Sequence, residues 1–205
     1  MEASSRKHKT LLYKSTADSI CTTVEELTLV GSPVSCLSTA TEIDYDLIVI
    51  SFDQSSLRAR DALVELCSTL KRNNHTMQTP VLCLLSSKHR KLLKQLRDAG
   101  VEYVMFSNKR DLKTLENCLV TLTSGPSEEF KMDRIIPGIC PYINYFPINR
   151  HQEILYCGAY RNRLVLGSYL LSNYCETLNY KECEYFKNPK LPKSISKTNI
   201  AEKSK

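Results

Sequence analysis

Two rhythms of apolar residues alternate along the first 122 positions. KTLLY (9–13), VSCL (34–37), DLIVISF (46–52), TPVLCLL (79–85) and VEYVMF (101–106) are short apolar runs that predict strands. DLIVISF is nearly continuous and β-branched, the pattern of a strand buried on both faces. VSCL follows a Ser-Pro pair read as a turn, and a proline stands at the start of TPVLCLL, where a strand tolerates it. Between the runs, apolar residues fall at helical spacing: Ile20, Val24 and Leu27, with Asp18 or Ser19 as cap, then a short segment near Thr39–Ile43. The same spacing returns in Leu63, Leu66, Cys67 and Leu70, and in Leu92, Leu93 and Leu96 on a helix closed by Gly100. Leu112, Leu115, Cys118, Leu119 and Leu122 complete the series. Strands alternating with helices predict an α/β fold over 8–122, a doubly wound five-stranded parallel sheet.

The texture then changes. SGPSEEF (124–130) lies in an expected linker over 123–137. A tyrosine-rich stretch at 138–187 predicts a small cysteine-rich α+β module. Within it EILYCGAY and RLVLGSYLL read as a hairpin about Arg161-Asn162, followed by a short helix carrying Tyr174-Cys175 and a last turn carrying CEYF. Residues 188–205 are expected to be a basic, disordered tail.

Charge refines this picture only at the end of the chain. The net charge is +6, and the stretch from Lys187 to Lys205 holds six lysines against Glu202 alone. The basicity is therefore a property of the tail and not of the folded units. No apolar run reaches the length of a membrane helix, and the expected location is the cytoplasm.

Nine cysteines bring in candidate chemistry. In a reducing compartment they are metal ligands or small buried hydrophobes, not disulfides. Cys21, Cys36, Cys67, Cys83 and Cys118 sit within apolar-periodic segments and are expected in the core. Cys140, Cys157, Cys175 and Cys183 crowd into the C-terminal module. Four soft sulfurs suit zinc or, alternatively, an iron–sulfur cluster. A stretch this poor in aliphatics needs such a staple. No CxxC knuckle is present, and four buried thiols in an aromatic mini-core are the third reading. His151 is a substitute ligand in principle.

DLIVIS (46–51), TPVLCLLSS (79–87) and LRDAGVEYVMF (96–106) together resemble the receiver domain of two-component response regulators. The resemblance spans 8–122 and implies the flavodoxin-like sheet order, with a phosphoryl-accepting aspartate ending the third strand. It also implies a carboxylate pair after the first strand to hold Mg²⁺, a hydroxyl ending the fourth and a lysine ending the fifth. Here those positions read Ser51, Tyr13-Lys14-Ser15-Thr16, Leu85 and Ser107, with Ser86 and Lys109 nearby and Asp53 the best alternative acceptor. The implied state is a degenerate receiver, or pseudo-receiver, that is not phosphorylated conventionally. The second module resembles small four-cysteine modules appended to bacterial regulatory proteins.

The expected function is a non-enzymatic regulatory protein with a protein partner. KHRKLLK (88–94), with Lys109, Arg110 and Lys113, reads either as a solvated charged face or as a docking patch. The alternatives are a nucleic-acid-binding transcriptional regulator using the metal module and lysine tail, or an iron–sulfur redox sensor. No nucleophile–base set or phosphate-cradling glycine loop points to an enzyme or a small-molecule substrate.

Overall fold

The computed structural model describes residues 8–15, 26–52, 56–106, 117–118, 120–122, 125 and 127–190. They fall into two compact units, residues up to 139 with 149–152, and residues 140–148 with those from 153 onward.

The first unit is built on five parallel strands in the order β2-β1-β3-β4-β5. These are β1 (Lys9–Tyr13), β2 (Glu26–Val30), β3 (Leu47–Ser51), β4 (Val81–Leu85) and β5 (Tyr103–Phe106). Every residue of β3 and β4 is buried, as their unbroken apolar runs require. The helices are α1 (Pro33–Glu42), α2 (Leu57–Arg72) and α3 (Arg90–Asp98), and residues 117–118 and 120–122 are also helical. The predicted inward residues of α2 and α3 are all buried, and Gly100 closes α3 with a φ of 90°. Cys118 and Leu122 join Leu12, Val49, Leu82, Leu84 and Met105 in one core cluster. On α2, Cys67 meets Cys83 of β4, their sulfurs 3.9 Å apart. The sheet order and the helix-flanked core are those of a flavodoxin-like doubly wound fold.

One expected strand is corrected. VSCL lies inside α1, and the second strand is ELTLV (26–30), so Leu27 is extended rather than helical. The rest of the helix expected over 18–27 is outside the described residues. Ser-Pro is here a helix start: the Ser32 hydroxyl accepts the N–H of Ser35 at 3.0 Å and Pro33 takes the first helical position. Helical geometry turns Val34 outward, at 79% exposure, and buries Cys36 and Ala40 one turn apart. A strand would have put Val34 and Cys36 on the same face.

A partly buried ion pair ties the layers. Lys71 Nζ of α2 reaches Glu102 Oε1 at 2.5 Å and the Thr79 carbonyl at 3.2 Å, while Glu102 Oε2 accepts the N–H of Val81. Within the stretch expected as a linker, Phe130 accepts from the N–H of Val104, and Met132 donates to Glu102. Met132, Ile136 and Ile139 are buried, and Arg90 Nε holds the Ile139 carbonyl at 3.1 Å. Of the expected basic patch, Lys91 and Lys94 are exposed on α3, whereas Lys109, Arg110 and Lys113 lie outside the described residues.

The second unit has an antiparallel sheet, β6 (Ile143–Pro147), β7 (Glu153–Cys157) and β8 (Leu164–Val165), in that order. The β7–β8 hairpin turns where expected. Arg161 and Asn162 both have positive φ, 54° and 57°, and Arg163 N–H donates to the Tyr160 carbonyl. Positive φ at both central residues marks a type I′ turn, whose twist suits a hairpin. A helical turn (168–170) then widens over Leu171–Cys175, and a 3-10 turn (Leu178–Glu182) leads into a final short helix, Glu184–Lys187.

Candidate functional site

Two places carry possible chemistry. The first is the C-terminal edge of the parallel sheet, where α/β folds place their ligands. The described residues there are Tyr13 ending β1 with Lys14-Ser15 after it, Ser51 ending β3 with Phe52 after it, Leu85 ending β4 with Ser86-Ser87 after it, and Phe106 ending β5. Ser51, Phe52, Tyr13 and Leu85 are all buried. Lys88 Nζ stands 6.0 Å over the Phe106 ring. No carboxylate occurs among these residues. Asp46 lies at the opposite end of β3, where it accepts the N–H of Lys9 at 2.9 Å. Asp53, Ser107 and Lys109 are outside the described residues.

The second place is a cavity of about 230 Å³ wholly within the second unit. Cys140, Cys157, Cys175 and Cys183 all line it. Each arrives on a different element. Cys140 follows the 3-10 turn Ile136–Gly138, Cys157 ends β7, Cys175 ends the widened turn, and Cys183 precedes the last helix. Backbone bonds fix their approach, since Cys140 N–H donates to the Cys175 carbonyl at 2.7 Å. The Cys157 carbonyl accepts from Tyr160 and Asn162.

Gly158 is required where β6 and β7 meet. Its N–H donates to the Tyr142 carbonyl at 2.7 Å, and a Cβ would stand 2.7 Å from Asn144 Nδ2 and 3.1 Å from that carbonyl. Asn144 Nδ2 in turn donates to Asn162 Oδ1 at 2.7 Å, linking β6 to the hairpin turn. An aromatic wall completes the site: Phe186 meets Tyr180 edge-on at 4.9 Å and Tyr142 at 5.8 Å, and Tyr160 packs on Tyr185.

The thiols sense one another. Burial pushes Cys175 up to about 12, and Cys140, Cys157 and Cys183 add to the rise. Burial also raises Cys157, against the backbone N–H groups of Tyr160 and Ala159, which hydrogen-bond it and favour its thiolate. Among the described residues no group of three or more His, Cys, Asp or Glu side chains is already arranged to hold a metal ion. The donor chemistry, four sulfurs with backbone N–H groups directed at one of them, suits a soft metal. His151 is exposed and is not part of the cavity wall.

The sequence reading did not single out Gly158, Asn144 or the cavity-lining Leu164, Leu166 and Leu170. A glycine directly after a candidate ligand, in CGAY, was the one local signal available for the first of these.

No protein-family model matches the chain, and no curated protein matches it. Among solved structures, the chemotaxis response regulator CheY4 of Vibrio cholerae is similar at 13% identity and a TM-score of 0.46, covering 56% of this chain and 98% of that one. A response regulator from Desulfuromonas acetoxidans is similar at 18% identity and a TM-score of 0.42, over 56% and 98% of the two chains. The Mn²⁺-bound form of response regulator Rcp1 is similar at 15% identity and a TM-score of 0.45, over 58% and 97%. At these identities the likeness concerns the fold alone. No helix among the described residues is long and apolar enough to cross a membrane.

Proposed function

We propose that this chain is a non-enzymatic regulatory protein of signal transduction that acts through protein–protein contacts. Its first unit is a pseudo-receiver that takes no phosphoryl group conventionally. Its second unit holds zinc or an iron–sulfur cluster on Cys140, Cys157, Cys175 and Cys183.

The observation that carries this reading is the chemistry of the sheet edge. Phosphoryl transfer to a carboxylate needs an exposed acceptor and oxygen ligands for Mg²⁺. In this chain Ser51 ends β3 and is only 4% exposed, Phe52 fills the next position, and Tyr13 ends the first strand with Lys14 after it. A cation and an aromatic cannot replace the carboxylates that would hold the metal. The exposed Lys91 and Lys94 on α3 remain as a surface for an acidic partner.

The test is incubation with acetyl phosphate and Mg²⁺ followed by intact-mass measurement. The expected mass is that of the unmodified chain. An added phosphoryl group that disappears in Asp53→Ala overturns the reading. The metal site is tested separately, by elemental analysis of the purified chain.

A further inference from the structure

We propose that the outer face of the β6–β7–β8 sheet is a binding surface for single-stranded nucleic acid. The surface lies wholly within the second unit and depends on neither its four thiols nor its cavity.

The register builds it. In an antiparallel sheet, opposite residues point to the same face, and the face alternates along each strand. Ile143 pairs with Cys157 and Cys157 with Leu164, and this inner face lines the cavity through Cys157 and Leu164. The other face takes Asn144 with Tyr156, Phe146 with Ile154, and Val165 opposite Tyr156. Phe146 is 63% exposed and Val165 54%, so β6 and β8 present this face to solvent. Ile154 and Tyr156 between them are half-buried. A solvent-facing side of an antiparallel sheet is ordinarily polar, and this one is not.

Two rings stand on it. Phe146 and Tyr156 are diagonal neighbours across the β6–β7 pair, a spacing of about 7–8 Å. Bases splayed from a single strand can each lay a face on one ring, whatever the sequence, because every base has a π face.

Charge follows the same surface. The three strands hold one carboxylate, Glu153, and it belongs to the other face, opposite Pro147. Cations gather where β7 turns into β8. Arg161 and Arg163 are exposed there. Lys190 is tied to the same loop, its N–H donating to the Ala159 carbonyl and its Nζ 5.7 Å from the centre of the Tyr160 ring. Lys187, by contrast, is paired with Glu182.

Rings beside cations choose the occupant. A phosphodiester chain brings a row of negative charges with flat bases attached, and it uses both. A second copy would bring the same face, with the same cations and no carboxylate to meet them. An acidic protein would answer the arginines and leave the rings without flat partners.

The chain contains no tryptophan, so Phe146→Trp places a single indole fluorophore on the face. The full-length variant is titrated with a short oligouridylate, a duplex of the same length, poly-glutamate and anionic vesicles. The expected result is saturable quenching by the single strand, which stacking produces, and little response to the other three. Anisotropy of a labelled oligouridylate then reads affinity across salt concentrations. Phe146→Ala is expected to weaken binding about tenfold. Arg161→Gln with Arg163→Gln is expected to make the slope of log affinity against log salt shallower by about 1.4. Leu178→Ala, exposed but outside the sheet, is expected to change nothing. Circular dichroism checks that each variant is folded. Absence of binding at low salt overturns the proposal. So does binding that Phe146→Ala leaves intact, which assigns the contact to the lysines of 187–205. Equal quenching by poly-glutamate or by vesicles overturns it in favour of an acidic protein or a lipid surface.

Discussion

The backbone N–H of Cys140 donates to the carbonyl of Cys175 at 2.7 Å, joining the chain just before β6 to the end of the widened helical turn. The main chains of two ligand candidates far apart in sequence are thus locked together, which fixes where their side chains start. The site depends on closure of the second unit's backbone, which makes structural variants as informative as ligand variants.

Gly158→Ala is the sharpest of these. The added Cβ would stand 2.7 Å from Asn144 Nδ2 and 3.1 Å from the Tyr142 carbonyl. The amide must swing away and give up its bond to Asn162, and the Tyr142 carbonyl must yield by a few tenths of an ångström, which strains its bond to Gly158. The expected cost is about 1–3 kcal/mol in a urea melt, with metal content falling alongside. Gly138→Ala, where nothing stands within 4 Å of the new Cβ, is the matched control and is expected to retain its metal.

Replacing a thiol separates ligands from core residues. Cys175→Ser is expected to abolish most metal binding. Cys36→Ser, in the first unit, leaves metal content unchanged and lowers stability by about 1–3 kcal/mol, because Cys36 is wholly buried and the change puts a polar hydroxyl into the apolar core. Elemental analysis and denaturant melts of the two variants read the difference.

Core thiols also differ in reactivity. Burial first, then the neighbouring Cys67, pushes Cys36 up to about 12. Cys83 is driven up by burial and by its hydrogen bond with Cys67, and Cys118 up to about 12 by burial and then Glu129. All three therefore stay as unreactive thiols near neutral pH. Alkylation of the native protein, read by peptide mass, is expected to leave them unlabelled until denaturant is added.

Ser51→Asp is not expected to restore a phosphorylation switch. The carboxylate would be buried beside Phe52, and Lys14 and Ser15, the described residues directly after β1, offer no second carboxylate to share a metal. Burial raises its native pKa, so the penalty is absent while the carboxyl is protonated. It grows as pH rises above about 4, and levels off beyond the raised native value. Urea midpoints across pH should show stability falling in that window, and acetyl phosphate should add no mass.

Glu102→Ala removes two contacts at once, since its carboxylate serves both Lys71 Nζ and the N–H of Val81. The Lys71 side chain is only 12% exposed, so it loses its partner in a poorly solvated place. The expected loss is about 1–3 kcal/mol in a denaturant melt. Glu102→Gln keeps the acceptor for Val81 and should recover part of it.

Much of the first unit was legible because its signals are local. β3 and β4 are short unbroken apolar runs bounded by polar residues or proline, β3 rich in β-branched residues, which mark buried strands. The triplet Leu92, Leu93 and Leu96 marks one helical face. The second strand was misplaced because VSCL is apolar enough for either state. The choice between them was made by Ser32 capping and Pro33 starting a helix, and by pairing of Glu26–Val30 with β1. In the second unit the turn at Arg161-Asn162 was readable from its residues. The strand β6 was not, because INYFP has no buried stripe of its own, Phe146 being 63% exposed, and becomes a strand only by bonding to β7.

What the sequence alone determined is the alternation of elements, and with it the parallel sheet, because burial on both faces writes itself into unbroken apolar runs. It also gathered four cysteines into one aliphatic-poor stretch, which is what the proposed metal site is drawn from. Only the tertiary structure decided that Cys140, Cys157, Cys175 and Cys183 share one cavity, and how much space lies between them. That outcome depends on non-local bonds, Cys140 to Cys175 and Gly158 to Tyr142, whose partners no local pattern announces. Spacing along a chain constrains distance in space only weakly once the backbone folds back on itself.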